Sequence, residues 1–177
     1  MDQALTLDSA VAEREARFEQ LLRDHYRSIF VYLCRLIGDQ RQAEDLTQDT
    51  FVKAYRAIGR LSADANVKAW LYRIATNTAL DCLRRRRLIS WLPLFDNDCH
   101  PAVETSFAES SLEGVAVHQA LRQLPPRYCV PLLLYACHGL STQEIAEILQ
   151  ISRGAVKTRL FRAREKFRRI YSVEEGA

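Results

Sequence analysis

Between Leu140 and Lys166 the stretch LSTQEIAEILQISRGAVKTRLFRAREK sets hydroxyl, carboxylate and cationic side chains at spacings suited to nucleic-acid recognition. Ser141 and Glu144 form an S-x-x-E capping box, in which the hydroxyl accepts from the amide three residues on and the carboxylate reaches back to the first amide. A helix therefore starts there, with Ile145, Ala146, Ile148 and Leu149 facing inward and running to Ile151. Ser152 then caps a second helix beginning near Arg153, so the turn is only about three residues long. At 100° per residue Val156, Leu160, Ala163 and Phe167 make a core-facing stripe, and Lys157, Thr158, Phe161 and Arg162 fall opposite. Cations, a hydroxyl and a ring on one outer face match phosphates, base edges and a thymine methyl in a major groove. Arg153 and Arg159 on the same helix join the candidates. The competing reading is a solvated basic face with one stray phenylalanine; periodicity, capping and charge together favour a helix-turn-helix.

The charge is unevenly spread. Arg122 to Tyr171 holds ten Lys or Arg against three acids, whereas between Arg87 and Arg122 there is no base and Asp96, Asp98, Glu104, Glu109 and Glu113 cluster. A basic C-terminal module on an acidic connector suggests a nucleic-acid binder although the net charge is only +3. No apolar run approaches the roughly 20 residues of a membrane span, and the N-terminus lacks a signal-peptide pattern, so a cytoplasmic protein without membrane insertion is expected. Five cysteines, an odd number, fit reduced thiols better than a disulfide framework. Cys99-His100 and Cys137-His138 raise a metal or redox reading, but no C-x-x-C or H-x3-H accompanies them, and no metal site or cofactor is expected.

The elements that must position these residues are helices. Phe18, Leu21, Leu22, Tyr26, Ile29, Phe30, Leu33 and Leu36 recur at helical spacing up to Gly38. A second helix is predicted from about Arg41 to Ile58, and a third from Val67 through Leu88 after a polar loop at Leu61 to Asn66. Pro93 and Pro101 mark the connector; Leu112 to Leu124 forms a helix, and Pro125-Pro126 opens another that ends near Gly139. The expected fold class is all-α: two small helical domains joined by a flexible acidic linker, the C-terminal one a helix-turn-helix.

QAEDLTQDTFVKAYRAI at 42–58, AWLYRIATNTALDCLRRRR at 69–87 and LPPRYCVPLLLYACHGLSTQEIAEIL at 124–149 together resemble a bacterial RNA polymerase sigma factor of the sigma-70 family, in its small extracytoplasmic-function group. The resemblance spans about Phe18 to Arg169 in the family's order. It implies an N-terminal tail (1–17), a region 2 domain (18–90) binding core polymerase and the minus-10 element, a linker (91–111) and a region 4 domain (112–173) binding the minus-35 element.

The resemblance also implies site residues. Asp45, Gln48 and Asp49 match the helix that docks on the clamp helices of the polymerase largest subunit, and two carboxylates with an amide suit a basic partner helix; an ordinary solvated acidic face is the alternative. The second-largest subunit is a further expected contact. Asn77 matches a position contacting a minus-10 base, and the loop Leu61 to Asn66 matches the segment that receives a flipped-out base, which makes Asn66 a candidate. Trp70 and Tyr72 offer stacking surfaces, with Trp70 equally suited to the core. Arg84, Arg85, Arg86 and Arg87 point around a whole helix turn, so at least two face outward, toward a nucleic-acid backbone or simply toward solvent. The recognition helix would enter the minus-35 major groove with the face already selected by the helical wheel.

Two stretches depart from expectation. Leu88 to Phe95, LISWLPLF, is apolar for the start of a connector; it either packs on its own bundle or meets the polymerase or an inhibitor. The first seventeen residues read as a short acidic tail or a helix extension with no separate autoinhibitory domain, so restraint is expected from an anti-sigma factor. A free-standing helix-turn-helix regulator is the alternative function, although nothing resembles a dimerisation helix. An enzyme is not expected, since no catalytic residues, ligand spacing or glycine-rich phosphate loop appear.

Overall fold

The computed structural model describes residues 2–62, 64–89 and 112–174. The described residues form seven α-helices and one short 3-10 turn, and no strand occurs among them. The connector and most of LISWLPLF lie outside them.

Three helices form the first layer: α1 (Asp2–Ile37), α2 (Gln40–Ala57) and α3 (Val67–Ile89). Helix α1 reaches back over the segment read as a tail or helix extension. Within it the Arg14 guanidinium donates to Tyr55 Oη at 3.0 Å and lies over that ring. The apolar stripe of α1 is buried at Leu21, Ile29, Phe30 and Leu33, as the spacing predicts. Two positions differ: Tyr26 stays exposed and stacks on Phe51, while Tyr32, absent from the predicted stripe, is fully buried. The Tyr32 hydroxyl is tied to Thr76 Oγ1 at 2.8 Å, and a phenol can be buried at low cost once its hydroxyl has a partner.

Gly38 ends α1 at φ +74°, a conformation cheap only for glycine, and Asp39 caps α2 by accepting from the Gln42 amide. In α2 the buried Thr47 and Thr50 return their hydroxyls to the Ala43 and Leu46 carbonyls of the same helix, which satisfies them inside the core. Ala69, Ala75 and Ala79 on α3 are buried and small, so α3 approaches its neighbours closely. A 3-10 turn, Ile58–Arg60, follows α2, and the Asn66 side chain accepts from the Ala69 amide to start α3.

The second layer comprises α4 (Leu112–Gln123), α5 (Pro126–Ala136), α6 (Thr142–Leu149) and α7 (Arg153–Glu174). Pro126 occupies the first turn of α5, where its missing N–H is not needed. The Ser141–Glu144 capping box is present in both directions, and Ser152 accepts from the Ala155 amide to start α7. Gln150 takes the left-handed conformation (φ 53°, ψ 45°) that turns α6 toward α7, a role its residue type does not signal. Val156, Leu160 and Ala163 are buried and Phe167 is half-buried, as the α7 periodicity predicts.

The two layers touch. Helix α3 packs on α6, and α1 packs on α4 and α5, so their buried residues form one contiguous apolar cluster.

Candidate nucleic-acid and polymerase interfaces

On α7 the four residues of the predicted recognition face, Lys157, Thr158, Phe161 and Arg162, are all exposed, Phe161 by 63%. A phenylalanine this bare has no partner ring or core to cover it. Thr158 is exposed and donates its hydroxyl to the Gly154 carbonyl of its own helix. Arg153 donates through Nε to Thr142 Oγ1 at 3.0 Å and braces the two helices, while Arg159 is only half-exposed at the edge of the face. The cations further along face other work: Arg164 lies over the Tyr135 ring, and Lys166 and Arg127 lie over Tyr128.

Helix α3 presents a second polar line. At 100° per residue Asn66, Arg73, Asn77 and Arg84 fall within about 20° of one direction. Arg73, Asn77 and Arg84 are exposed. Arg73 was not among the sequence candidates; its helical register with Asn77 is the signal that finds it. Trp70 is half-buried against the core, and Tyr72, read as a stacking surface, is 1% exposed. Tyr72 projects about 60° short of a half-turn from that polar line and enters the contact with the second layer, so it has no face left for a base. Arg84 pairs with Asp81 and Arg86 with Asp39; Arg85 is exposed, and the Arg87 side chain lies outside the described residues. Leu80 and Leu83 floor a groove of about 610 Å³ between the layers, rimmed by Arg84, Arg86 and Arg127.

The outer face of α2 carries Asp45, Gln48 and Asp49, all exposed and without hydrogen bonds or ion pairs to other described residues. Val52, 48% exposed, sits in register with them and adds an apolar contact that the charge pattern alone does not reveal.

Several side chains join the layers, the sequence candidates Asn66 and Tyr72 among them. Asn66 Nδ2 donates to Glu144 Oε1 at 2.6 Å, Lys68 Nζ donates to the His138 carbonyl at 2.7 Å, and Tyr72 Oη lies 2.7 Å from His138 Nδ1. Tyr32 stands edge-on to both the Tyr72 and His138 rings. Burial, with help from the Arg35 and Lys68 charges, pushes His138 down to about 4. Glu144 is held below the usual carboxylate range by its bonds to Ser141, with Asn66 adding to them.

Among the described residues no group of side chains is arranged to hold a metal ion. Cys34, Cys82, Cys129 and Cys137 are free thiols; burial pushes Cys34 up to about 11 and Cys129 up to about 12, which keeps both protonated and unreactive. His138 spends Nδ1 on Tyr72, and Cys99-His100 lies outside the described residues.

Family models match both layers: Sigma-70 region 2 over residues 21–89 and Sigma-70, region 4 over residues 114–167. The RNA polymerase sigma-H factor of Pseudomonas aeruginosa is 34% identical over 176 residues, covering 89% of this chain and 90% of that protein. The chain belongs to the sigma-70 family. Its extracytoplasmic-function (ECF) membership follows from relatives of that group. ECF RNA polymerase sigma factor SigM of Mycobacterium tuberculosis is 34% identical over 166 residues (93% of this chain, 82% of that protein). ECF RNA polymerase sigma factor SigW of Bacillus subtilis is 33% identical over 158 residues (82% and 84%). The solved structure of the sigma factor RpoE in complex with the anti-sigma factor NepR from Bartonella quintana matches with a TM-score of 0.72 at 26% identity, covering 89% of this chain and 98% of that one. CnrH, solved in complex with the cytosolic domain of CnrY, matches at 0.69 and 28% identity, with 94% of each chain covered. As an ECF sigma factor the protein is a promoter-specificity subunit of RNA polymerase. In family terms, α1 to α3 carry region 2 and α4 to α7 carry region 4.

Proposed function

We propose that this sigma factor docks on the clamp helices of core RNA polymerase through Asp45, Gln48 and Asp49 on α2, with Val52 between them. The second-largest subunit is a further contact. The α3 line beginning at Asn66 and carrying Asn77, with Arg84 to Arg87 beyond, engages the minus-10 element, and Lys157, Thr158, Phe161 and Arg162 on α7 enter the minus-35 major groove. Residues 1–17, 18–90, 91–111 and 112–173 then serve as N-terminal extension, region 2 domain, linker and region 4 domain.

The observation that carries this reading is the α7 face: two cations, a hydroxyl and a 63% exposed phenylalanine gathered on one side of a helix whose other side is core. No helix among the described residues is long and apolar enough to cross a membrane, which supports work on DNA in the cytoplasm. Control by an anti-sigma factor is supported by the similar RpoE chain, which was solved with one.

The test is transcription by bacterial core polymerase on a library of promoter fragments, with and without the protein, reading start sites by sequencing. Discrete starts that require the protein support the assignment and reveal both promoter elements. DNA selection by the protein alone, with no initiation alongside core polymerase, overturns it in favour of a free-standing regulator.

A further inference from the structure

We propose that Arg14 on α1 is a positioning residue for promoter engagement: it braces the turn after α2, so that the loop running into Asn66 stands ready for the minus-10 strand. The inference rests on the proposed assignment of the Asn66 end of α3 to that element. The region 2 family match begins at residue 21, so the brace belongs to this chain's own N-terminal extension.

Three contacts build it. Arg14 and Phe18 are one helical turn apart and therefore meet the same neighbour. Phe18 stands edge-on to Tyr55 with 5.0 Å between ring centroids, and to Phe51 with 6.4 Å. The Arg14 guanidinium lies 4.8 Å from the Tyr55 centroid and donates to its hydroxyl at 3.0 Å. Tyr55 is thus held at its ring and at its hydroxyl by one helix. The Arg14 stem also passes over the turn, its Cδ 3.5 Å from where a Cβ on Gly59 would stand. Arg14 Nε is buried without a hydrogen-bond partner among the described residues. An arginine that served only to solubilise α1 would turn that N–H to water, because a buried donor without an acceptor is costly. Arg14 keeps its place over Tyr55 and Gly59 against that cost.

What the brace fixes is the entry to a loop with little hold of its own. Ile58 is buried and anchors the 3-10 turn, and α1 packs on that turn. Beyond it the Leu61 amide returns to the Ile58 carbonyl at 3.1 Å and the Ala65 amide to the Ser62 carbonyl at 3.2 Å, while Ser62, Asp64 and Asn66 are exposed. A polar loop held by so few bonds loses conformational freedom when it takes up a strand, and fixing one of its ends during folding reduces that loss.

The test uses the full chain assembled with core polymerase, as parent, Arg14→Ala, Arg14→Lys and Tyr55→Phe. The probe is a fluorescent single-stranded oligonucleotide carrying the minus-10 sequence recovered with the parent, its binding read by anisotropy. Tyr55 follows Gln48 by two helical turns and shares its side of α2, so affinity for core polymerase is measured alongside. Hydrogen exchange of the 58–66 amides is followed in the free proteins, with far-UV circular dichroism reporting helix content. Expected for Arg14→Ala is faster exchange over 58–66 and oligonucleotide binding weakened about three- to tenfold, with core affinity unchanged. Arg14→Lys keeps a cation for the ring and a donor for the hydroxyl, and should restore most of the binding; Tyr55→Phe keeps the ring alone and should fall between. Oligonucleotide binding by Arg14→Ala within about twofold of the parent overturns the proposal. A loss of core affinity as large as the loss of oligonucleotide affinity also overturns it, by placing Arg14 in the docking face. If Arg14→Ala loses helicity, the Tyr55→Phe result decides. A parent holoenzyme that binds the minus-10 oligonucleotide no better than a scrambled one overturns the minus-10 assignment instead, while the exchange comparison still decides whether Arg14 holds the loop.

Discussion

The hydroxyl of Tyr72 lies 2.7 Å from Nδ1 of His138, joining region 2 to region 4 across 66 residues of sequence. His138 Nε2 is buried with no hydrogen-bond partner, and a positive charge on this ring would be desolvated and would sit near Arg35 and Lys68. The closed arrangement therefore holds His138 neutral.

That depressed value predicts a pH dependence with a definite sign. A group favoured in its neutral form contributes fully above its ordinary value of 6.5, and the contribution is lost as pH falls toward about 4. Lowering pH from 7 to 5 is expected to loosen the contact between layers, seen as a rising radius of gyration at constant helicity. His25 is also lowered by burial and shifts stability in the same direction. A His138→Gln variant, which cannot titrate, is therefore expected to keep only the His25 share of the dependence.

On α7 the two cations are expected to behave differently. Arg162→Ala should weaken promoter binding by about 1–3 kcal/mol and relax preference at one base position if its guanidinium contacts a base edge. Lys157→Ala should weaken all sequences alike and reduce the salt slope by about one, the signature of a phosphate contact. Binding titrations across a salt series and a set of single-base promoter variants check both. Unchanged affinity and preference for Arg162→Ala removes it from the interface.

Asp49 is exposed on α2 and supports no described contact within the chain. Asp49→Lys is accordingly expected to leave the melting temperature nearly unchanged and to lower affinity for core polymerase at least about tenfold, as opposed charges become like charges. Pull-down on core polymerase together with a thermal melt separates loss of docking from loss of folding.

Gly38 predicts a local stability effect. Its φ of +74° disfavours any side chain by about 1–2 kcal/mol, and an added Cβ would lie 2.9 Å from Arg122 Nε. Because Arg122 is long and can move aside, most of the cost of Gly38→Ala should come from the backbone. Chemical denaturation is expected to show a loss near 1–2 kcal/mol, little changed when Arg122→Ala is added.

The parts of this protein legible in its sequence are those governed by neighbours a few residues apart. The Ser141–Glu144 box, the Val156–Leu160–Ala163 stripe and the opposing Lys157–Phe161–Arg162 face follow from helix geometry, which repeats every 3.6 residues whatever surrounds it. The motif order likewise carried the family and the all-α class. Tertiary structure alone decided which polar and aromatic side chains are spent inside the molecule. Tyr72 suits a stacking surface by type, and Asn66 a base-reading loop, yet Tyr72 is buried against His138 and Asn66 is tied to Glu144. Such pairings join residues 66 and 78 positions apart and leave no periodic trace in the chain. They exist because two helical layers, each with an incompletely covered apolar face, gain stability by covering one another.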